Sequence, residues 1–319
     1  MTTIASTRPT ARIGSGLAFA LLSAASFGMS GSLARPLLDA GWTAGSVVLV
    51  RIAIGAAAVL PFGLAALGGR WHLLRGAWTT VVLYGALGVA TAQFCYFSAV
   101  QTMDVAPALL IEYTAPAAVV GWMWLAHGQR PGRLTVLGAV VAALGLVLVL
   151  DLFSGSDVDV RGIAWALAAM VGCVAYFVIS ADESSGLPPM TLAAGGLVVG
   201  GSLLGVLGLA GLMPLATSSS DLAYAGIAVA PWQALLALGI VTAAIAYTSG
   251  IAAGRRLGSR LASFVALAEV VVAVLWAWLL LDQLPGWIQA LGGLLILAGV
   301  VAVKLGERTV DVPDAPVLT

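Results

Sequence analysis

Ten stretches of about twenty apolar residues follow one another along the 319 residues of this chain, and they leave it few folds to choose from. They run approximately over 13–34, 44–66, 77–101, 105–127, 133–152, 161–182, 190–213, 232–253, 258–281 and 286–305. Twenty residues of helix rise about 30 Å, the thickness of the hydrocarbon core of a bilayer. No water reaches the backbone N–H and C=O groups in that core, so a segment of this kind crosses it as a helix. Hydrophobic residues make up 61% of the chain, charged residues only 9%, and mean hydropathy is +1.06. So little charge cannot cover a water-soluble surface. The expectation is an all-α integral membrane protein with ten transmembrane helices. The first run follows Arg8 and Arg12 but is too long for a signal-peptide core and is the first of ten alike, so it reads as helix 1.

Connections are mostly short, with no room for a water-soluble domain. The one long connection is 214–231, with Pro214, Ser218, Ser219, Ser220 and Asp221, and a polar, proline-containing tail follows 306. Charge sets the orientation. With the N-terminus in the cytoplasm, the tails and the loops after helices 2, 4 and 8 carry eleven of the fourteen cations: Arg8, Arg12, Arg70, Arg75, Arg130, Arg133, Arg255, Arg256, Arg260, Lys304 and Arg308. Only Arg35 and Arg161 fall outside, alongside Asp39, Asp104, Asp157, Asp159, Asp221 and Asp282. Positively charged loops stay in the cytoplasm, so both termini are expected there. Trp42, Trp78, Trp232 and Trp287 fall at helix ends, as interfacial anchors do.

The chain repeats itself. Leu87-Gly88 with Tyr96-Phe97-Ser98-Ala99-Val100 matches Leu238-Gly239 with Tyr247-Thr248-Ser249-Gly250-Ile251. Trp122-x-Trp124 and Gln129-Arg130-Pro131-Gly132 match Trp276-x-Trp278 and Gln283-Leu284-Pro285-Gly286, and Gly138 and Gly145 match Gly292 and Gly299. The reading is a cytoplasmic tail over 1–12, a first five-helix repeat over 13–152, a second over 161–305, and a cytoplasmic tail over 306–319. Five is odd, so the second repeat lies upside down relative to the first. Inverted repeats of this kind build transporters whose substrate site sits near the membrane midplane.

Ionisable side chains inside hydrocarbon are costly, which marks each as a functional candidate. Three qualify: Arg51 in helix 2, Glu112 in helix 4 and Glu269 in helix 9. Arg51 and Glu112 both lie roughly 10 Å below the outer ends of their helices, counting 1.5 Å per residue. Equal depth suggests an ion pair, serving as a structural clamp or as a gate and substrate contact. Pro116 offers no N–H to the carbonyl of Glu112, so helix 4 is expected to kink there. Glu269 lies three residues from Glu112 in the repeat frame, nearly one turn, on a similar face of the related helix. It has no evident cation partner and reads either as a proton-coupling carboxyl or as a neutral hydrogen-bonded one. Gln93, Tyr96, Tyr113, Tyr176 and Tyr247 are further polar candidates, with Ser30 from the stripe Ser23, Ser26, Ser30. A residue of this kind is more often an interhelical hydrogen bond than a ligand contact. The glycines of helix 7, at 196/200 and 201/205, have the spacing that lets helices pack closely.

Several functions are excluded. Net charge is zero, so there is no basic face for nucleic acid. Cys95 and Cys173 lie in apolar runs and read as core residues, while His72 and His127 fall at the cytoplasmic surface. No metal-binding, nucleophile or phosphate-loop motif appears, so no cofactor or metal is expected and an intramembrane enzyme or a receptor is a distant alternative.

Ser30-x-Ser32-Leu33-Ala34-Arg35-Pro36-Leu37 and Val50-Arg51-Ile52-Ala53-Ile54-Gly55 resemble the first helix pair of the drug/metabolite transporter superfamily, EamA type. Tyr96-x-Ser98-Ala99-Val100-Gln101 leading into Ala108-Leu109-Leu110-Ile111-Glu112-Tyr113-Thr114-Ala115-Pro116 is similar to its threonine/homoserine exporter branch. Leu267-Ala268-Glu269-Val270 through Leu281-Asp282-Gln283-Leu284-Pro285 resembles the signature of the second half, with Val270 in place of a common proline and Asp282 in place of a glutamate. The resemblance implies a multi-pass protein of a prokaryotic cell membrane with a central cavity. It implies export of amino acids or related small metabolites in exchange for protons, with efflux of lipophilic cations as the alternative. Phosphorylated substrates would want several cations in the cavity, where only Arg51 is available.

Overall fold

The computed structural model describes residues 8–115, 132–149 and 159–306. Nearly all of them are helical. Helices α1 (Arg8–Gly28) and α2 (Ser30–Asp39) form one interrupted rod, followed by α3 (Ala44–Leu67), the short α4 (Trp71–Gly76) and α5 (Trp78–Leu83). A π-helical stretch, Tyr84–Thr91, carries α5 into α6 (Ala92–Val100), and α7 (Val105–Glu112) follows. Then come α8 (Arg133–Val149), α9 (Val160–Ala181) and α10 (Pro189–Leu209), a hairpin of β1 (Leu222–Tyr224) and β2 (Ile227–Val229), and α11 (Pro231–Ala237). A second π-helical stretch, Leu238–Ile245, leads into α12 (Ala246–Val265), and α13 (Ala268–Leu281) and α14 (Trp287–Gly306) complete the chain.

Six helical rods are long and apolar enough to span a bilayer: Ile13–Asp39, Ala44–Leu67, Trp78–Val100, Val160–Ala181, Pro189–Leu209 and Pro231–Leu257. Three shorter apolar helices join them, Arg133–Val149, Ala268–Leu281 and Trp287–Val303. This is a multi-pass membrane protein. Leu21, Phe62, Val171, Val178 and Val206 stand exposed on its helices, which only lipid tolerates at this density.

The described residues fall into two compact units, one drawn from 8–113 and 159–285 and the other from 132–149 and 286–306. In the smaller unit α8 and α14 run antiparallel and touch through glycines. A Cβ on Gly138 would sit 2.6 Å from the carbonyl oxygen of Gly299, and one on Gly145 would sit 2.5 Å from that of Gly292. The converse holds from the other side, with 2.5 Å from Gly299 to Gly138 and 2.6 Å from Gly292 to Gly145. Only residues without a side chain permit backbones this close. In the repeat frame Gly138 corresponds to Gly292 and Gly145 to Gly299, so each contact is the other with its partners exchanged.

In the larger unit three helices break where helix-forming residues alone would carry them on. The first rod is interrupted at Met29. Regular helix ends at Glu112 and gives way to a turn at Tyr113–Thr114, and α12 stops before a turn at Ala266–Leu267. Pro116, which led us to expect a kink at Glu112, lies outside the described residues. The corresponding break before Glu269 forms although Val270 replaces the proline there. It also moves a boundary: the eighth apolar run does not end near 253 but continues as unbroken helix to Val265.

The connection 214–231 is ordered rather than loose. Ala225 and Gly226 both have positive φ, 49° and 81°, the twist that joins antiparallel strands through two residues. Tyr224 donates its hydroxyl to the Leu33 carbonyl at 2.6 Å, and Thr43 Oγ1 donates to that of Pro214 at 2.8 Å. Trp42, expected as an interfacial anchor, is instead buried, its indole N–H bonded to the Ser218 carbonyl at 2.8 Å. Trp78, Trp232 and Trp287 are exposed at helix starts, as anchors are.

Candidate functional site

The breaks and the π-helical stretches converge on one cavity in the larger unit. Its empty space comes to about 560 Å³, open solvent at the mouth included. α1 lines it with Ser23 and Phe27, α6 with Gln93, α9 with Cys173 and Tyr176, and α12 with Tyr247 and Gly250. Glu112 and Tyr113 enter from the end of α7, and Glu269 from the start of α13. Both carboxyls therefore sit where a helix is interrupted, the arrangement in which irregular backbone is tolerated at membrane depth because it faces a cavity.

The two carboxyls differ in what they touch. Glu269 Oε2 accepts a hydrogen bond from the Tyr113 hydroxyl at 2.6 Å. The partner is a phenol and not a cation, one of the two arrangements that the sequence left open for Glu269. The Glu112 carboxyl accepts no hydrogen bond among the described residues and faces the cavity. Three rings stand edge to face beside them: Phe27 lies 5.0 Å from Tyr247 and 6.0 Å from Tyr176, and the two tyrosines lie 5.7 Å apart.

Arg51 does not pair with Glu112. The guanidinium is fully enclosed behind the cavity. Its Nε–H donates to Thr242 Oγ1 at 2.9 Å and one Nη to Ser30 Oγ at 3.1 Å. The Nη groups also donate to Gln93 Oε1 and to the Thr242 carbonyl, and the Phe97 ring lies 5.2 Å from the guanidinium carbon. Depth along a helix placed Arg51 and Glu112 level with one another but said nothing of azimuth. The π-helical stretch supplies the reason Arg51 turns away. Its wider turn leaves carbonyls unclaimed by the helix, and one of them, that of Thr242, takes the guanidinium. The first π-helical stretch is used alike: the Gly88 carbonyl accepts the Tyr247 hydroxyl at 3.2 Å.

Six of the nine residues singled out from sequence line the cavity: Glu112, Glu269, Gln93, Tyr113, Tyr176 and Tyr247. Arg51 and Ser30 form the polar cluster behind it, with Gln93 as the link between the two. Tyr96 is buried with its hydroxyl against Gly31 and does not line the cavity.

The profile of the EamA-like transporter family matches residues 14–151 and again residues 160–305. The chain belongs to the EamA-like transporter family. Relatives of the transporter include the threonine/homoserine exporter RhtA of Escherichia coli, 26% identical over 292 residues covering 90% of this chain and 89% of that one. The pseudopaline exporter CntI of Pseudomonas aeruginosa is 24% identical over 297 residues, covering 92% and 97%. A crystal structure superposes with a TM-score of 0.60 at 23% identity, covering 95% of this chain and 99% of that one, and so shares the fold.

Sequence reasoning missed two residues of the transporter's site. Thr242 carries a legible signal, since it matches Thr91 in the repeat, and both threonines bond back into their π-helical stretches, to Leu238 at 2.8 Å and to Ala86 at 2.9 Å. Phe27 carries none, being one apolar residue in an apolar run. Gly250 marks the tightest point of the wall. A Cβ there would lie 1.9 Å from the Tyr176 hydroxyl oxygen and 2.7 Å from Ser23 Oγ. Gly250→Ala is expected to cut transport by tenfold or more in a flux assay. Because the clashing atom is the phenol oxygen, Tyr176→Phe in the same chain restores much of the loss; no restoration would show that the glycine acts elsewhere.

Proposed function

We propose that this transporter is a secondary exporter of amino acids and related small metabolites, driven by proton exchange and working by alternating access between two inverted five-helix halves. Ten membrane helices with both termini in the cytoplasm make up this arrangement, with repeats over 13–152 and 161–305. The observation that carries the reading is the cavity itself. One buried carboxyl, Glu112, accepts no hydrogen bond among the described residues, while a second, Glu269, is held by Tyr113 from the other repeat.

Three further findings support it. The reciprocal glycine contacts of α8 and α14 are those of helices related by a two-fold axis, as inverted repeats require. Both acidic residues flank helix breaks at matching repeat positions, the device by which such transporters expose polar groups at mid-membrane. Relatives are named as exporters of threonine and homoserine and of pseudopaline. In this orientation the cavity is taken to open toward the cytoplasm, lined by Ala20, Ser23 and Phe27 of the first rod and by Tyr247, Gly250 and Ala253 of α12. The Arg51 cluster and the docked hairpin close the opposite side. Glu112 and Gln93 face the substrate, Glu269 carries the proton, and Arg51 with Ser30 fastens the closed side.

Purified protein in liposomes decides the matter. An imposed proton gradient is expected to drive uphill movement of L-threonine or L-homoserine, and to do so in the direction opposite to the protons. Flux that ignores the gradient, or none for any amino acid tested, would refute the proposal.

A further inference from the structure

The cavity is chemically one-sided. Two carboxyls line it, and among the described residues no lysine, arginine or histidine does. Arg51 is not itself in the wall, being fully buried with its N–H groups given to Ser30, Gln93 and Thr242. Among the described residues, a solute carboxylate entering this space finds no cationic side chain in the wall. A solute ammonium finds the opposite. Glu112 is more than nine-tenths buried, faces the cavity and accepts no hydrogen bond from the described residues. Phe27, Tyr176 and Tyr247 add ring surfaces of the kind that attract cations at close range.

We infer that the site selects its substrates by an ammonium group bound at Glu112 and the three rings, and does not read a carboxylate. Solutes with an amino group and no acid group, such as amines and amino-acid amides, are therefore preferred to the amino acids themselves. This rests on the transport reading above and sharpens its substrate class. Glu269 differs from Glu112 in that its Oε2 already accepts the Tyr113 hydroxyl. Charge-assisted hydrogen bonds in enclosed sites typically outweigh neutral ones enough to change affinity about tenfold or more.

Matched pairs test it without depending on a single side chain. The full-length protein in lipid nanodiscs is titrated calorimetrically with L-threonine and L-threoninamide, L-leucine and L-leucinamide, and L-glutamine and L-glutamine amide, at about pH 6.5 where the amino groups are protonated. N-acetyl-L-threonine, which keeps the acid and loses the ammonium, completes the set. The amide of at least one pair is expected to bind tenfold or more tighter than its acid, with N-acetyl-L-threonine showing no binding. Glu112→Gln is expected to weaken the amide at least tenfold while the protein stays folded by thermal denaturation. An acid bound as tightly as its amide overturns the inference and leaves proton-driven export standing. Unchanged amide binding in the Gln variant, or equal binding of the N-acetyl compound, overturns the role of Glu112. Absence of binding in every pair also overturns it, whereas the transport reading falls only if flux fails as well.

Discussion

Glu269→Gln will bind substrate and exchange it across the membrane, but will no longer concentrate it against a gradient. Glutamine matches the shape of a protonated carboxyl and still offers a carbonyl oxygen to the Tyr113 hydroxyl, which in the wild type donates to Glu269 Oε2 at 2.6 Å. The α7–α13 contact and the break before Glu269 therefore survive the change. What is lost is the ability to take a proton on one side and release it on the other. A carboxyl enclosed in the membrane can change sides cheaply only when its charge is neutralised, and a proton is the smallest neutraliser available. Counterflow exchange in proteoliposomes should stay within about twofold of the wild type, whereas proton-driven accumulation should fall by at least tenfold; a tenfold change corresponds to about 1.4 kcal/mol of lost coupling. If the variant still accumulates substrate at the normal rate, Glu269 is a structural hydrogen-bonding residue and the proton must travel by Glu112.

Much of this architecture is legible in the sequence because bilayer thickness and hydrogen-bond satisfaction act on each segment separately. The six long rods were visible as apolar runs, and Gly138, Gly145, Gly292 and Gly299 were visible as repeat positions before their close contact was known. The helix breaks are another matter. Ala266 and Leu267 are good helix formers, and nothing local says that regular helix stops there. The turn is imposed from outside: α1 comes so close that a Cβ on Gly28 would sit 2.9 Å from the Glu269 carbonyl oxygen. The hairpin at Leu222–Val229 was hidden for a related reason. Its turn uses Ala225 at positive φ where glycine or asparagine would have announced it, and Tyr224 holds it down by reaching a carbonyl nearly two hundred residues earlier.

Arg51 shows most clearly where one-dimensional reasoning ends. Equal depth suggested Glu112 as its partner, whereas the guanidinium is given to Thr242, Ser30 and Gln93, and the consequence can be measured. Removing the guanidinium with Arg51→Met takes a donor from the Thr242 carbonyl and from Ser30 Oγ, both of them on buried residues. Leaving buried polar groups unsatisfied costs about 1–3 kcal/mol each. Expected stability loss is therefore about 2–6 kcal/mol, large enough to lower the thermal midpoint of the protein in nanodiscs visibly. The distribution of that loss distinguishes the two possible partners. Combined with Thr242→Val, Arg51→Met should be markedly less than additive, since either change alone already breaks the Nε–H to Oγ1 bond of 2.9 Å. Combined with Glu112→Gln it should show a smaller coupling, because no ion pair joins the two side chains and only distance-weakened attraction remains. A coupling larger for Glu112 than for Thr242 would restore the ion pair that equal depth suggested. The hydroxyl and carbonyl of one threonine, freed by a widened helical turn, would then be bystanders rather than the reason an arginine can lie in the membrane without an acid beside it.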